Sequence, residues 1–453
     1  MKQESQNVFW KQVLGLALPV ALQGLLYSLL SIVDQIMVGE KGPTAVVAVG
    51  LASKNAGVLN FVIMGLTAGL GILAAQHVGQ GRLERIGKIQ GMIFFAGLLV
   101  SLMFFILSFC LPSWAMHLFS ADPKVITEGI SYHRYLAFSY FPMLIIAVYS
   151  TVLRSAGIVK LPMLVSLVAV PLNAFLNYLL IFGHLGFPAL GVGGSALATT
   201  LATTFEALVL FAFVYFQKLP GAFSIQSLLK FWHFDSEIKQ LWLLTWPLLM
   251  DNFSFAVADA ASGAIFGFMG TSQTVAVTIM MPIQALIITF FAGFGTAASV
   301  MLGHHLGRNE TKAAYSTGIK ILWLSLFAPL GLGGMILLTM SSYLSLFHMS
   351  PFSLNLTKIV MVLMVLFVPI KVINMVLGNI LSSGGETKFI FYISIMGSWL
   401  FAVPLGLVTA FILHWPIDGG FVALSFEEVI RLILGIRKMK TGSWLNNLVA
   451  EVN

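Results

Sequence analysis

An aspartate, two asparagines and a threonine are the residues with which this sequence can handle an ion. Asp34 lies inside the run Ser28-Leu29-Leu30-Ser31-Ile32-Val33-Asp34-Gln35. Carboxylates are costly to place in apolar surroundings, so one found there marks an ion path or a coupling site. Asn173 and Asn177 are spaced i, i+4, which sets both amides on one helix face. Each amide carries two N–H donors and a carbonyl oxygen, so the pair can donate to a carboxylate or ligate a small cation. Thr199, with Thr200 beside it, adds hydroxyl oxygens. A proton would neutralise Asp34 by forming the acid, and Na⁺ by pairing with the carboxylate. Plainer roles stand beside these: an Asp34 that reaches the interface, an Asn pair that bonds helix to helix, and threonines that bond their own backbone.

Other polar residues offer less. Glu206, Asp251 and Asp259 fall in apolar runs and read as lining for a wet cavity. Lys54 and Lys371 read as snorkelling side chains or partners of a nearby acid. Glu427 and Glu428 precede Arg431 by four and three residues, a spacing that suits ion pairs. Arg154 reads as an interfacial anchor. Among 37 Phe and 21 Met, Phe61, Met64, Phe141, Met143, Met250, Phe253 and Phe255 are candidates for an adaptable apolar binding surface. Packing against core or lipid is the default for any one of them.

These residues must be positioned by membrane helices. The chain has 453 residues, of which 58% are hydrophobic and 9% charged. Soluble domains carry about 25% charged residues, so too few charges are present to solvate a water-facing surface. A soluble enzyme and a disordered chain are both excluded. Twelve apolar runs emerge, at 13–38, 45–78, 90–114, 127–152, 161–183 and 190–217, then 240–267, 273–306, 317–340, 355–381, 389–413 and 418–437. Each is about the 20 residues that a bilayer demands, or longer. The first is too long for a signal-peptide core and is read as an uncleaved span.

One constant shift aligns the chain with itself. Lys11-Gln12 falls on Lys239-Gln240 and Pro19 on Pro247. The same shift takes Val47-Ala48-Val49 to Val275-Ala276-Val277, and Leu153, Ser155, Gly157 and Lys160 to Leu381, Ser383, Gly385 and Lys388. The expected fold is therefore an all-α polytopic membrane protein of twelve helices. It comprises two homologous six-helix bundles, 1–217 and 240–453, joined by a cytoplasmic linker at 218–239. Six is even, so both bundles enter from one side and a pseudo-two-fold axis runs along the membrane normal. That is a transporter plan with a central cleft. Asp34 falls on Ser262, and the two asparagines on Phe401 and Leu405, so the ion-handling set belongs to the first half alone.

Basic residues set the orientation. Arg82, Arg85, Lys88, Arg154, Lys160, Lys218, Lys230, Lys239, Arg308, Lys312, Lys388, Arg437, Lys438 and Lys440 cluster at even-numbered connections and the tail. The odd connections hold little beyond Lys41, Lys124 and Lys358. This predicts both termini in the cytoplasm and an inner (plasma) membrane location. The +7 net charge reflects that asymmetry and implies no nucleic-acid partner. A single cysteine, Cys110, excludes an intrachain disulfide. Gly81 to Lys88 has the wrong spacing for a phosphate-binding loop, Gly191-Val192-Gly193-Gly194 follows no strand, and His304-His305 lacks a zinc-protease context. No ATP, dinucleotide or metal cofactor is expected.

The ensemble resembles the MATE (multidrug and toxic compound extrusion) family over nearly the full chain. The resemblance is carried by Leu18-Pro19 leading to Val33-Asp34-Gln35-Ile36-Met37-Val38-Gly39, and by Val152-Leu153-Arg154-Ser155-Ala156-Gly157 with Lys160-Leu161-Pro162-Met163. Leu172-Asn173 to Asn177-Tyr178 and Ile380-Leu381-Ser382-Ser383-Gly384-Gly385-Glu386-Thr387-Lys388 complete it. It implies export of cationic, often aromatic drugs by H⁺ or Na⁺ antiport, with the first-span acid at Asp34 and the fifth-span polar pair at Asn173 and Asn177. Lys371 and Phe255 stand where some branches place second-half acids, which points to a DinF-like branch. Asn177 stands where some relatives have an acid, which favours H⁺ over Na⁺. The expectation is a monomeric drug/H⁺ antiporter in contact with membrane lipid, coupled at Asp34. A lipid-precursor flippase of similar architecture is the alternative, and a membrane scaffold without transport a third.

Overall fold

A computed structural model describes residues 2–222, 236–345, 347 and 349–450. Lys230 and most of the linker lie outside the described residues. The long helices of the first half are α1 (Lys2–Gly39), α2 (Pro43–Gln80) and α3 (Leu83–Cys110). A short α4 (Pro112–His117) leads to α5 (Pro123–Leu136), a 3₁₀ turn at Ala137–Ser139 and α6 (Tyr140–Ser155). Then come α7 (Lys160–Phe182) and α8 (Val192–Phe216). The second half has α9 (Ser236–Met269), α10 (Thr271–Gly307), α11 (Thr311–Leu344) and α12 (Pro351–Ser383). It continues with α13 (Thr387–Ile395), α14 (Val403–Leu407) and α15 (Ile417–Thr441).

Eleven spans among the described residues are long and apolar enough to cross a bilayer. They include α5 to α6 as one span and 387–412 as another. The twelfth expected span, now Ile417–Thr441, is long enough, but Glu427, Glu428 and Arg431 interrupt its apolar surface. The architecture is the expected all-α polytopic one. Helix ends differ from the apolar runs by several residues, because polar turns such as Leu83–Lys88 continue the helix beyond the hydrophobic stretch. The larger surprise is the eleventh span. It passes through π-helical turns at Met396–Ala402 and Val408–Ile412, around Gly397, Pro404 and Gly406, where glycine and proline weaken the regular ladder.

Start and stop signals are orthodox. Pro43, Pro112, Pro123 and Pro351 open helices where a missing N–H costs nothing. The Asp122 carboxylate caps α5 by accepting from the Lys124 backbone N–H at 2.8 Å.

The chain forms two compact units, and neither begins at the linker. One holds residues 22–245; the other holds 1–21 and 246–453. The division falls just after Pro19 in α1 and just before Pro247 in α9. Each of these prolines removes a helical hydrogen bond at the place where its helix passes from one unit to the other.

In the 22–245 unit, α2, α3, α5, α6, α7 and α8 pack together. Gly69 of α2 lies so close to Thr245 that a Cβ there would collide with it. In the other unit, α10, α11, α12 and α15 bury Phe291, Val360, Val372 and Ile380 with Val13 and Ala17 of α1. There a Cβ on Gly293 would collide with the Ala17 carbonyl. The shift that takes Pro19 to Pro247 also takes Ala17 to Thr245, so the duplicated chain repeats a close approach to a glycine in each unit.

Candidate functional site

The ion-handling residues of the first half meet within the 22–245 unit. Asp34, near the C-terminal end of α1, is half-buried. Its Oδ1 accepts a hydrogen bond from Nδ2 of Asn177 on α7. The same Nδ2 donates to Asn173 Oδ1 at 2.8 Å, and Asn173 Nδ2 reaches Thr199 Oγ1 on α8 at 3.4 Å. Thr199 donates to the Ser195 carbonyl at 3.1 Å. Thr200, by contrast, donates to the Tyr135 carbonyl and takes no part.

Asn173 and Asn177 are 1% and 0% exposed, so both amides are enclosed by the protein. Among the described residues, Asn177 Oδ1 is buried without a hydrogen-bond partner. Its amide can therefore serve either form of Asp34: the N–H donates to a carboxylate, and the oxygen, after rotation, accepts from a carboxylic acid. Among the described residues, no cationic side chain pairs with Asp34.

The face of α1 that carries Asp34 also carries Tyr27 and Gln23, two and three helical turns towards the N-terminus. Tyr27 donates its phenol O–H to Glu206 Oε1 on α8. Gln23 Oε1 accepts from Arg154 Nη2 on α6 at 2.9 Å, and Gln23 Nε2 donates to the Pro162 carbonyl on α7 at 3.4 Å. Three neighbouring helices thus hold the polar row of α1. Two expectations are corrected here. Arg154 is not an interfacial anchor, because its guanidinium turns inward to Gln23. Glu206 does not line an open cavity, because it is 3% exposed and bonded to Tyr27. Gln23 and Tyr27 escaped the sequence reading, although their spacing from Asp34 was a usable signal.

Second-half polar residues form separate pairs. Asn374 Nδ2 donates to Glu428 Oε2 at 2.7 Å, and Ser398 donates to Glu427 Oε2 at 2.8 Å. The ion pairs expected from the spacing to Arg431 are not formed; groups from neighbouring helices take the carboxylates instead. Asp259 is exposed. Lys54 lies over the Phe119 ring, 5.9 Å from its centroid.

The apolar candidates are divided between the two units. Phe141 packs into an aromatic group with Phe105, Phe109 and Phe138, at 5.5 Å from Phe105. The Met143 sulfur accepts from Ser139. Phe61 is half-buried and Met64 exposed; in the other unit Met250 is half-buried, and Phe253 and Phe255 are exposed. Among the described residues, no three His, Cys, Asp or Glu side chains gather as a metal site.

The MatE family model matches the chain twice, over 19–179 and 247–408. The two matches begin on Pro19 and Pro247, the prolines that the internal repeat superposes. The chain belongs to the MatE family. As a MatE-family protein it is a multi-pass membrane transporter and not an enzyme. It is 21% identical to the uncharacterized transporter YisQ of Bacillus subtilis, over 99% of this chain and 98% of that protein. It is 26% identical to the probable multidrug resistance protein NorM of Neisseria meningitidis serogroup A, over 92% and 90%. A solved structure of a multidrug resistance MATE family transporter of the MOP superfamily, in an outward-facing conformation, superposes with a TM-score of 0.85 at 18% identity, over 96% of each chain. A MATE structure in complex with MaL6 gives 0.86 at 18% identity over 95% of each. These likenesses establish the MatE-family fold for this chain.

Proposed function

We propose that this transporter exports cationic, aromatic amphiphiles in exchange for protons, by alternating access, with Asp34 as the coupling carboxylate. One observation carries the reading. Among the described residues Asp34 has no cationic partner, yet it is held by an amide chain that can serve both of its protonation states. A carboxylate so placed takes up one positive charge and gives it back without leaving a buried ion stranded.

The donor pattern favours H⁺ over Na⁺. Asn177 points an N–H at Asp34, where a metal ion would need an oxygen. Asn173 and Thr199 orient Asn177 and hold it in register. Coupling centred on the first half is the DinF-like arrangement, and the basic connections put both termini on the cytoplasmic side of the plasma membrane. Drug contact falls to the adaptable side chains Phe61, Met64, Phe141, Met143, Met250, Phe253 and Phe255. The transporter acts as a monomer.

Efflux of ethidium from proteoliposomes, driven in turn by a pH gradient and by a Na⁺ gradient, tests the reading. Efflux under the Na⁺ gradient alone would refute proton coupling, and Asp34→Asn with undiminished proton-driven efflux would refute the assigned residue.

A further inference from the structure

We propose that Glu206 is a second proton-carrying carboxyl of the first half, placed in series with Asp34 along one face of α1. The proposal rests on the proton-coupled reading of Asp34. It starts from an oddity of pairing. Glu206 is almost wholly buried in a membrane helix, and its hydrogen-bond partner is the neutral phenol of Tyr27. Arg154 is close enough for its charge to act on Glu206, yet its Nη2 is spent on Gln23 and, among the described residues, its Nε is buried without a partner. A structural ion pair would join the two charges directly, because a buried charge left unpaired is strongly destabilising.

The arrangement suits a carboxyl that changes state. As the neutral acid, Glu206 keeps the hydrogen bond that Tyr27 donates to it. As the carboxylate, it draws the unpartnered Arg154 Nε. From α1 and α6, Tyr27 and Arg154 are the ionisable groups that act on Glu206; α5 and α7, which also pack on α8, contribute none.

Tyr27 lies two helical turns from Asp34 on the same face, roughly 10 Å along the axis. The transfer is then a simple one. The O–H bond of protonated Asp34 breaks, water carries the proton along the face, and an O–H bond forms on Glu206. That bond breaks in turn as the proton passes to water beyond the N-terminal end of the seam, and Arg154 holds the carboxylate left behind. Tyr27 is a positioning residue, which orients Glu206 without itself changing charge.

The test is pH-difference infrared spectroscopy of the full-length protein in lipid nanodiscs, with ethidium efflux and proton uptake measured together in proteoliposomes. The wild type should show two carboxyl C=O bands that titrate separately. Glu206→Gln should remove one and Asp34→Asn the other. Tyr27→Phe should shift the frequency of the Glu206 band and leave the Asp34 band in place, which keeps the test open if Glu206→Gln does not fold. Proton-driven ethidium efflux should fall at least about tenfold in Glu206→Gln, with protons moved per ethidium unchanged, because one proton visits the two carboxyls in turn. A Glu206→Gln spectrum identical to that of the wild type, or a Tyr27→Phe spectrum with no shifted band, overturns the proposal. Failure of the drug/H⁺ reading looks different: wild-type efflux would ignore the pH gradient, while the infrared bands would still decide whether Glu206 titrates.

Discussion

Asn177 donates one amide N–H to Asp34, far earlier in the chain, and reaches Asn173 from the same nitrogen at 2.8 Å. One buried amide thus joins the carboxylate of α1 to the polar row of α7 and α8. Removing either end should separate coupling from folding in different ways.

Asp34→Asn keeps the shape of the side chain and a possible bond to Asn177, but removes the charge. Proton-driven ethidium efflux should fall at least about tenfold, a change of roughly 1.4 kcal/mol in the barrier. Ethidium affinity and the melting temperature should stay close to wild type. Transport assays paired with binding and melting measurements separate these effects.

Asn177→Asp places a second carboxylate beside the first and replaces the N–H aimed at Asp34 with an oxygen. Hard cations favour such an oxygen set. The variant should become Na⁺-stimulated, while the wild type is indifferent to Na⁺. Efflux with and without external Na⁺ checks this gain of function.

Asn374→Leu removes the amide that donates to Glu428 and leaves a buried carboxylate without that bond. Loss of a hydrogen bond to a charged group costs about 1.5–3 kcal/mol. The melting temperature should drop, whereas the preference for a pH gradient over a Na⁺ gradient should persist, because Asp34 is untouched. Thermal unfolding in detergent and two-gradient efflux read the two outcomes.

Trp444 is fully buried at the C-terminal end of the chain, and its Nε1 donates to the Met439 carbonyl at 3.1 Å. Beyond it, Asn446 donates to the Gly384 carbonyl and Asn447 to the Gly307 carbonyl, each at 3.2 Å. The tail therefore ties together the ends of α10, α12 and α15. Trp444→Ala should destabilise the protein by about 3–5 kcal/mol, visible as a lower melting temperature and poorer yield. Asn447→Ala should have a smaller effect in the same direction.

What the sequence disclosed follows from where the physics is simple. A bilayer allows no unsatisfied backbone, so apolar runs translate directly into helices, and the duplication survives as a repeat of Pro19 on Pro247. Asp34, Asn173 and Asn177 could be named because polar groups are scarce in such runs and i, i+4 spacing fixes a face. Partner choice was not legible. Whether Arg154 faces the interface or Gln23, and whether Glu427 takes Arg431 or Ser398, depends on how neighbouring helices rotate about their axes. The π-helical turns near Gly397 and Pro404 depend likewise on packing that no local pattern reports. The same holds for the compact units: composition marks a joint in the polar linker, whereas tertiary contacts assign residues 1–21 to the unit of 246–453.

That assignment has a consequence for how the protein is made. Ala17 leaves the ribosome early, yet the glycine against which it packs, Gly293, is synthesised only after the whole first half and the linker. At about 5–20 residues per second, the N-terminal segment waits on the order of tens of seconds in the membrane before its neighbours exist. Biogenesis of this unit cannot finish co-translationally from the N-terminus onward; it closes only after α10 has been inserted.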